Sequence, residues 1–373
     1  SIPLFSQNVE LDKMLGAQNA QMVAYEMGIY TDVDKTEYVR RVGNRLVAEL
    51  ENPLFEYQFH LVESASPNAF ALPGGYLYVT TGLLPILQNE DELACILGHE
   101  IIHSNNRHSI KQLKKSIFPK LLEVPGNLIG VIDSNLGSLF NAPIETSNSL
   151  LFASHGRKSE TQADKEGILL AAKAGYNPNA MTTSLSRLSK SVEVATQEKE
   201  SKSYFNDHPF TPDRVKAIEK QISKMKWKAK DPVSSNYLKE FDGTLFGPSP
   251  NKGVVRQNTF LHPDLDFHIE FPENWTIDNQ NSHITAYDNA QQAGIYISLD
   301  NPNLKPEKLA LEFIENLKPE YKKKIISSEK YTIDNREGYL VSFEDKVESI
   351  TVNAYALSIP MEDKLFRVMG IGT

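Results

Sequence analysis

The sequence predicts an α+β protein of two domains, and three features support this prediction. Apolar residues recur at helical spacing in the first 50 residues, and helix-start and helix-stop signals continue as far as residue 213. Beyond residue 257 the pattern changes to short runs of β-forming residues with one helical stretch among them. A run of helices followed by a run of strands is typical of separate domains or of an α+β fold. We therefore expect a first domain at 1–228, a linker at 229–256 and a second α+β domain at 257–373.

Local signals place the elements of the first domain. Asn89 is a favourable N-cap, and the acidic residues that follow it suit the first turn of a helix. Gly175 is suited to end a helix, and Pro212 is suited to begin one. The predicted elements are helical segments over 8–50, strands over 57–62 and 76–80, and helices from Asn89, over 158–174 and from Pro212.

The second domain is predicted to be mainly strands. The preceding segment 229–256 has several proline and glycine residues and little periodicity, which is typical of a linker. The predicted elements beyond it are strands over 266–271, 283–287, 294–299, 338–344, 350–358 and 365–369, and a helix over 305–318. We interpret this domain as a packing, partner-binding or substrate-binding module.

Composition limits the classes of function. Of the 373 residues 40% are hydrophobic, which supports a large packed core and excludes a disordered chain. The net charge of -9 gives no general attraction to nucleic acid, so nucleic acid is not an expected partner. Cys95 is the single cysteine, so no intramolecular disulfide can form. No run of about 18 apolar residues is present, and no transmembrane helix is predicted.

The central chemical signal is the sequence His99-Glu100-Ile101-Ile102-His103. Two histidines four residues apart lie one turn apart on the same face of a helix, so both imidazoles can reach one cation. Glu100 lies beside the first histidine, where it can deprotonate a water molecule that the metal activates. The alternative is a surface helix with two unrelated histidines. The apolar residues that flank the two histidines instead predict a buried helix. Buried histidine and glutamate side chains need partners, and the motif therefore predicts a zinc site.

A zinc site of this kind needs a third protein ligand and an open fourth position. Glu160 and Asp164 are the candidates, because they lie four residues apart on the next predicted helix. Glu160 is predicted to bind the metal, and Asp164 to accept a hydrogen bond from a ligating histidine. On spacing alone, an ordinary solvated acidic face explains the two carboxylates as well.

Three other residues were considered for this site. Cys95 and His103 are about 12 Å apart along a straight helix, so one metal cannot reach both. His108 points about 140° away from His103 on a continued helix, which favours a structural role. His208, which precedes Pro209, has three interpretations: it stabilises an oxyanion, it occupies the fourth metal position, or it is a turn histidine.

A series of separated motifs adds a resemblance to this picture. The motifs are Asn68 through Gly75, Thr81-Gly82-Leu83-Leu84, the His99–His103 sequence, Arg157 through Asp164, and His208-Pro209 with Arg214. In this order they resemble the HtpX and CAAX-prenyl-endopeptidase family of metallopeptidases, over roughly residues 8–226. Because no membrane helix is predicted, the chain resembles the soluble bacterial cell-envelope branch of this family, which includes BepA-like and LoiP-like proteins.

The resemblance implies a gluzincin-type zinc endopeptidase with one zinc ion per chain. It assigns His99, His103 and Glu160 as zinc ligands, Glu100 as the catalytic base, and Asp164 as the partner of a ligand. His208 and Arg214 are implied to help the transition state or to gate the metal. The family has its active-site edge strand at Gly75–Thr80, so Asn68, Gly75, Tyr76, Leu77 and Tyr78 are expected to bind an extended substrate backbone. Gly156 departs from the serine that the family often has before the arginine.

The resemblance also implies a location and two functional hypotheses. The first is an active endopeptidase that cleaves unfolded or misassembled proteins. It would be located in the periplasm or be a membrane-associated lipoprotein, and it would have envelope proteins as partners. The second is a latent protein, closed by His208, that acts as a chaperone-like assembly factor. Because the chain begins at Ser1, any signal peptide or lipid anchor is expected to lie outside this sequence. The segment around Phe271-Pro272-Glu273-Asn274-Trp275 is similar to a module of the PsbP/Mog-one type.

Overall fold

The protein is described by a computed structural model over residues 4–111, 155–196, 208, 212–229, 236–246, 249–290, 292–317, 319–347 and 350–373. The chain divides into two compact units, and each is described here by itself. Among the described residues, the first unit holds those up to 246 and the second those from 249. Both units combine helices with sheets, which confirms the predicted α+β class. None of the helices in the described ranges has the length and apolar character needed to span a bilayer.

The first unit is mainly helical and contains a small sheet. Its helices are α1 (Leu4–Glu26), α2 (Val33–Val47), α3 (Glu90–Asn105), α4 (Arg157–Lys173), α5 (Ala180–Thr196), α6 (Pro212–Ile222) and α7 (Tyr237–Glu240). Its strands are β1 (Gln58–Val62), β2 (Ala69–Leu72) and β3 (Tyr76–Thr80). The helical segment predicted over 8–50 is two helices, because Ile29 leaves the helical conformation to bridge Val62 and Asp32 then caps α2.

The sheet of the first unit has the order β1-β3-β2. Strand β3 is parallel to β1 on one side and antiparallel to β2 on the other, so both of its sides are hydrogen-bonded. The expectation that Gly75–Thr80 contributes an edge strand is therefore wrong. A strand's own pattern predicts that it is a strand, but its neighbours depend on how distant segments pair.

Helix α3 begins where the sequence predicts and is buried along almost its whole length. The Asn89 side chain accepts a hydrogen bond from the Glu92 backbone N–H at 2.9 Å, which caps the helix. The helix lies directly against α4, and the two backbones are closest at Gly98 and Gly167. A Cβ atom on Gly167 would lie 2.8 Å from the backbone nitrogen of His99, so only glycine permits this approach.

Part of the predicted linker belongs to the core of the first unit. Tyr237 and Phe241 are buried, and their rings pack edge-on or tilted against Tyr38 and against each other. The Tyr237 hydroxyl donates to the Leu84 carbonyl at 3.1 Å. The prediction of a linker at 229–256 is therefore wrong for these residues. It was based on proline and glycine content, which does not indicate that two isolated aromatic residues are buried.

The second unit is built on two antiparallel sheets. Its strands are β4 (Val254–Arg256), β5 (Thr259–His262), β6 (Phe267–Glu270), β7 (Thr276–Asn279), β8 (His283–Tyr287), β9 (Ala293–Asp300), β10 (Ile325–Ile333), β11 (Arg336–Val347), β12 (Ile350–Met361) and β13 (Lys364–Gly372). Its helices are α8 (Pro306–Asn316) and α9 (Pro319–Lys322). The larger sheet has the order β10-β11-β12-β13-β9-β8-β7, and the smaller one has the order β4-β5-β6.

The larger sheet of this unit is packed on both faces. Helix α8 contributes Ala310 to a cluster with Phe343 and Ala354 on one face. On the other face Phe260, from the smaller sheet, packs in a second cluster with Phe366. The result is a layered α+β unit with two small apolar cores.

The close contact of α3 and α4 leads to a first prediction. Gly167→Ala is expected to destabilise the protein by about 2 kcal/mol, because the added methyl group overlaps the backbone of α3. It should also weaken metal binding, since α4 carries Glu160 and Asp164. Thermal unfolding and zinc titration measure the two effects.

The matched control is Gly156→Ala, at the start of the same helix, where an added Cβ atom would meet nothing within 4 Å. A Gly167→Ala protein with the melting temperature and zinc affinity of the control would contradict the proposed role of this contact.

Candidate metal centre

Helix α3 presents His99 and His103 on one face, one turn apart. Both side chains are buried, at 0% and 1% exposure. Their Nε2 atoms lie 2.9 Å apart and therefore converge on one point. This is the arrangement that the four-residue spacing predicts.

Helix α4 brings Glu160 to the same point. Its Oε1 atom lies 3.2 Å from the His103 Nε2 atom, and its Oε2 atom lies 3.5 Å from the His99 Nε2 atom. Glu160 is 5% exposed, so the solvated acidic face that spacing alone allowed does not exist at this position. Because Glu160 lies in the first turn of α4, the helix dipole also favours its carboxylate there.

His208 completes a group of four potential ligands. Its Nδ1 atom lies 3.1 Å from the His99 Nε2 atom and 3.1 Å from Glu160 Oε1. Its Nε2 atom lies 3.3 Å from Glu100 Oε1. One ligand atom from each of His99, His103, Glu160 and His208 lies within 4.8 Å of all the others, and all four residues are buried.

Asp164 and Arg214 lie behind this group. Asp164 Oδ1 is 3.1 Å from the Nδ1 atom of His99, on the side of the ring opposite the converging Nε2 atom. Arg214 donates to both oxygens of Asp164 at 2.7 Å and approaches Glu160 Oε2 at 3.1 Å. The guanidinium group thus holds Asp164 in a two-pronged geometry that lysine cannot provide, and it also contacts the Glu160 carboxylate.

The electrostatics of the cluster favour positive charge. Burial lowers the pKa of His99, but the carboxylates of Asp164 and Glu160 outweigh it and raise the pKa to about 9. Burial and the charge of His99 hold the pKa of His103 well below its ordinary value. Burial would raise the pKa of Glu160, but the neighbouring imidazoles, beginning with His208, lower it strongly. The carboxylates therefore favour a positive charge at this point, whereas burial opposes charge on the His103 ring.

The donor set fits a metal ion. When a metal is bound, the His99 Nδ1–H would donate to Asp164, and the Nε2 atom of that ring would offer its lone pair to the site. Two further imidazoles and the Glu160 carboxylate converge on the same buried point, where a cation would accept their lone pairs and offset the carboxylate charge. Nitrogen and oxygen donors of this kind are those that zinc prefers.

Two further histidines lie in the cluster that sequence reasoning did not assign to it. The His108 Nδ1 atom is 3.1 Å from the His103 Nδ1 atom, and the His155 ring stacks on the His103 ring with centroids 4.0 Å apart. The prediction for His108 assumed that α3 continues as a straight helix. In fact α3 ends at Asn105, and the left-handed conformation of Arg107 (φ 57°) returns the chain towards the ligands. The pair Asn105-Asn106 was the signal of this helix end.

The residues expected to bind substrate lie in the sheet. Gly75, Tyr76, Leu77 and Tyr78 belong to the turn before β3 and to β3 itself, whose hydrogen bonds are satisfied within the sheet. Asn68 directly precedes β2, and its backbone oxygen accepts from the Thr80 N–H at 2.9 Å. Because antiparallel pairs alternate, the backbone groups of Ala71 point away from β3, and the Ala71 carbonyl is 3.4 Å from the Ser109 hydroxyl. Among the described strands, β2 is the edge next to α3.

A buried His-Glu-His cluster on two packed helices, with a carboxylate beside the first ligand, defines a site of the metallohydrolase class. Residues 34–222 match Peptidase family M48, which is half of the chain. The chain belongs to this family, and it is a metallopeptidase of the hydrolase class.

Similar proteins carry names of the same class. The mitochondrial metalloendopeptidase OMA1 of Schizosaccharomyces pombe is 30% identical over 187 residues, which are 50% of this chain and 53% of that protein. The beta-barrel assembly-enhancing protease of Yersinia pestis is 29% identical over 199 residues, covering 51% of this chain and 40% of that protein. OMA1 of Saccharomyces cerevisiae is 27% identical over 197 residues, or 50% of this chain and 54% of that protein. The chain thus spans about half or less of the length of these relatives.

Proposed function

We propose that the protein is a zinc-dependent endopeptidase with one zinc ion per chain, bound by His99, His103 and Glu160. The observation that supports this most strongly is the convergence of these three buried ligands on one point, with the Glu100 side chain buried next to His99 in the sequence. A gluzincin-type peptidase domain at 1–228 and a separate C-terminal domain at 257–373 are part of the same proposal. The latent chaperone-like alternative is not favoured, because the chain belongs to a peptidase family and its relatives are named as proteases.

Zinc bound at this site would polarise the scissile carbonyl group and increase the acidity of a water molecule. The Glu100 carboxylate takes the proton from the attacking water and passes it to the leaving amine. Glu100 is buried, and its Oε1 atom is 3.3 Å from His208 Nε2, which limits the orientations of the carboxylate. Asp164 and Arg214 touch the carboxylate of Glu160 or the ring of His99, so we assign them a positioning role.

This mechanism predicts the behaviour of Glu100→Gln. The variant should bind one zinc ion with unchanged affinity, because Glu100 is not a ligand. Its rate of casein cleavage should fall by about 100-fold to 10,000-fold, since the general base is lost. Metal analysis and a cleavage assay on the same sample measure both quantities.

The control is Glu219→Gln, the same change at an exposed position on α6. Full activity in Glu100→Gln would refute the mechanism, and a folded wild type that binds no zinc would refute the metal site.

His208 is placed to close the site in the conformation described. Its Nδ1 atom lies among the other ligand atoms, where a fourth zinc ligand would lie. A fourth protein ligand occupies the position that substrate or water needs, so the enzyme would have to open before it can react. We therefore propose that His208 gates the peptidase.

The gate predicts that His208→Ala is more active than the wild type. The rate of casein cleavage is expected to rise by roughly tenfold, because the open site no longer has to be populated first. Zinc should remain bound through the three other ligands. An unchanged or lower rate, with zinc still present, would count against gating and would favour a role of His208 in stabilising the oxyanion.

We propose that the substrate binds as an extended strand along β2. The outward-facing backbone groups of Ala71 can pair with a peptide, and the nearby Ser109 hydroxyl shows that this edge faces the residues that follow α3. Recognition through main-chain hydrogen bonds requires an extended chain, which unfolded or misassembled proteins provide.

Ala71→Pro tests this edge. Proline is tolerated on edge strands and removes one N–H donor, so KM should rise by up to about tenfold with kcat little changed. Ala71→Ser, which keeps the N–H group, is the control. Equal KM values for the two variants would exclude β2 as the binding edge.

A role in cell-envelope protein quality control is the broader proposal. It is supported by the similarity to proteins named beta-barrel assembly-enhancing proteases, while the OMA1 relatives are named as mitochondrial. The second unit would then dock substrates or envelope proteins, and we propose that its layered α+β fold is of the PsbP/Mog-one type. Fractionation of the native cells would decide the location.

A further inference from the structure

His108 is a buried residue beside the metal centre that the mechanism above does not use. It is 2% exposed, and it lies outside the group of converging ligand atoms. Its Nδ1 atom is 3.1 Å from the Nδ1 atom of His103. His108 therefore touches the side of the His103 ring that faces away from the ligand cluster.

The protons on these two rings follow from their positions. The Nε2 atom of His103 points into the cluster, so as a ligand it must be a lone pair and the ring proton must be on Nδ1. That N–H donates to the Nδ1 atom of His108, which must then be an acceptor. The proton of His108 is consequently on Nε2, which lies 3.3 Å from the Oε1 atom of Gln162.

The chain of hydrogen bonds continues to a carboxylate. Gln162 donates from Nε2 to Glu166 Oε1 at 2.8 Å, and Glu166 Oε2 accepts from the Asn106 side chain at 2.7 Å. Asn106 lies directly after α3, so the chain begins and ends on the segment that carries the zinc ligands. Reversing the tautomer of His103 would place two N–H groups or two lone pairs against each other along this chain.

We propose that His108, held by Gln162 and Glu166, is a positioning residue that sets the tautomer and ring orientation of His103. Asp164 has the corresponding position behind His99. The two ligand histidines thus have different partners. His99 contacts the carboxylate of Asp164 directly, whereas His103 contacts the neutral imidazole of His108, and the hydrogen bonds from that ring reach a carboxylate only at Glu166. This inference rests on the proposed zinc ligand role of His103.

A positioning role and a packing role of His108 require different properties of a replacement side chain. A phenylalanine at position 108 fills the space of the ring but cannot accept a hydrogen bond. An asparagine is smaller, but its side-chain oxygen can take the place of the Nδ1 acceptor. Packing alone favours phenylalanine, whereas positioning favours asparagine.

The experiment measures the zinc dissociation constant by competition with a chelator, together with kcat and KM. His108→Phe should weaken zinc binding by about 10-fold to 100-fold, and His108→Asn should recover most of this loss. Gln162→Ala, at an exposed position where folding is not at risk, should weaken binding by about threefold. His60→Phe is the control for His108→Phe, and Lys165→Ala is the control for Gln162→Ala. Both control variants should bind zinc with the affinity of the wild type.

The tautomer itself is visible by NMR of protein with nitrogen-labelled histidine. The zinc-loaded wild type should show a protected Nδ1 proton on His103, and this signal should be lost or exchange rapidly in His108→Phe. Wild-type zinc affinity in both His108→Phe and Gln162→Ala would overturn the proposal, as would equal losses in the Phe and Asn variants. If the wild type binds no zinc, the proposed metal site fails instead, so the two failures are distinguishable.

Discussion

The site depends on the contact between two helix backbones at Gly98 and Gly167. Each glycine lies where a Cβ atom would overlap the other helix, so α3 and α4 are closer than larger residues would allow. This approach lets the buried Glu160 carboxylate meet the histidines of α3. It also brings Asp164 one turn later to the Nδ1 atom of His99. A separation greater by one methyl group would move both carboxylates away from their partners.

Burial of so many ionisable groups has a free-energy cost, and the structure meets it with paired charges. Arg214 contacts the carboxylates of Glu160 and Asp164, and the imidazoles face these two carboxylates from the other side. Four potential ligand atoms converge at the centre of this network. A metal cation there would accept their lone pairs, and the family match supports a metal site over a structural ion-pair network.

Much of the fold and site was predictable because the signals are local. The N-cap at Asn89, the helix end at Gly175 and strands β6, β8, β9, β11, β12 and β13 follow from neighbouring residues, and the structure has them close to the predicted bounds. Strands β2, β4, β5, β7 and β10 were not predicted. Strand β10 is an edge strand with mostly exposed side chains and therefore shows no clear alternation. Helix α5 was also missed. The segment 117–153 is apolar but interrupted by proline and glycine residues, so short helices and loops are expected there, and it lies outside the described residues.

The sequence by itself determined that His99 and His103 share one face of α3, since a four-residue spacing on a helix places two side chains one turn apart. It also indicated the class of chemistry, because two histidines and a carboxylate at this spacing are typical of metallohydrolase sites. Only the tertiary structure decided that β3 is central and β2 is the edge, that Tyr237 joins the core, and that His108 returns to His103. These outcomes depend on chain reversals and on the pairing of distant segments, and no local pattern specifies either.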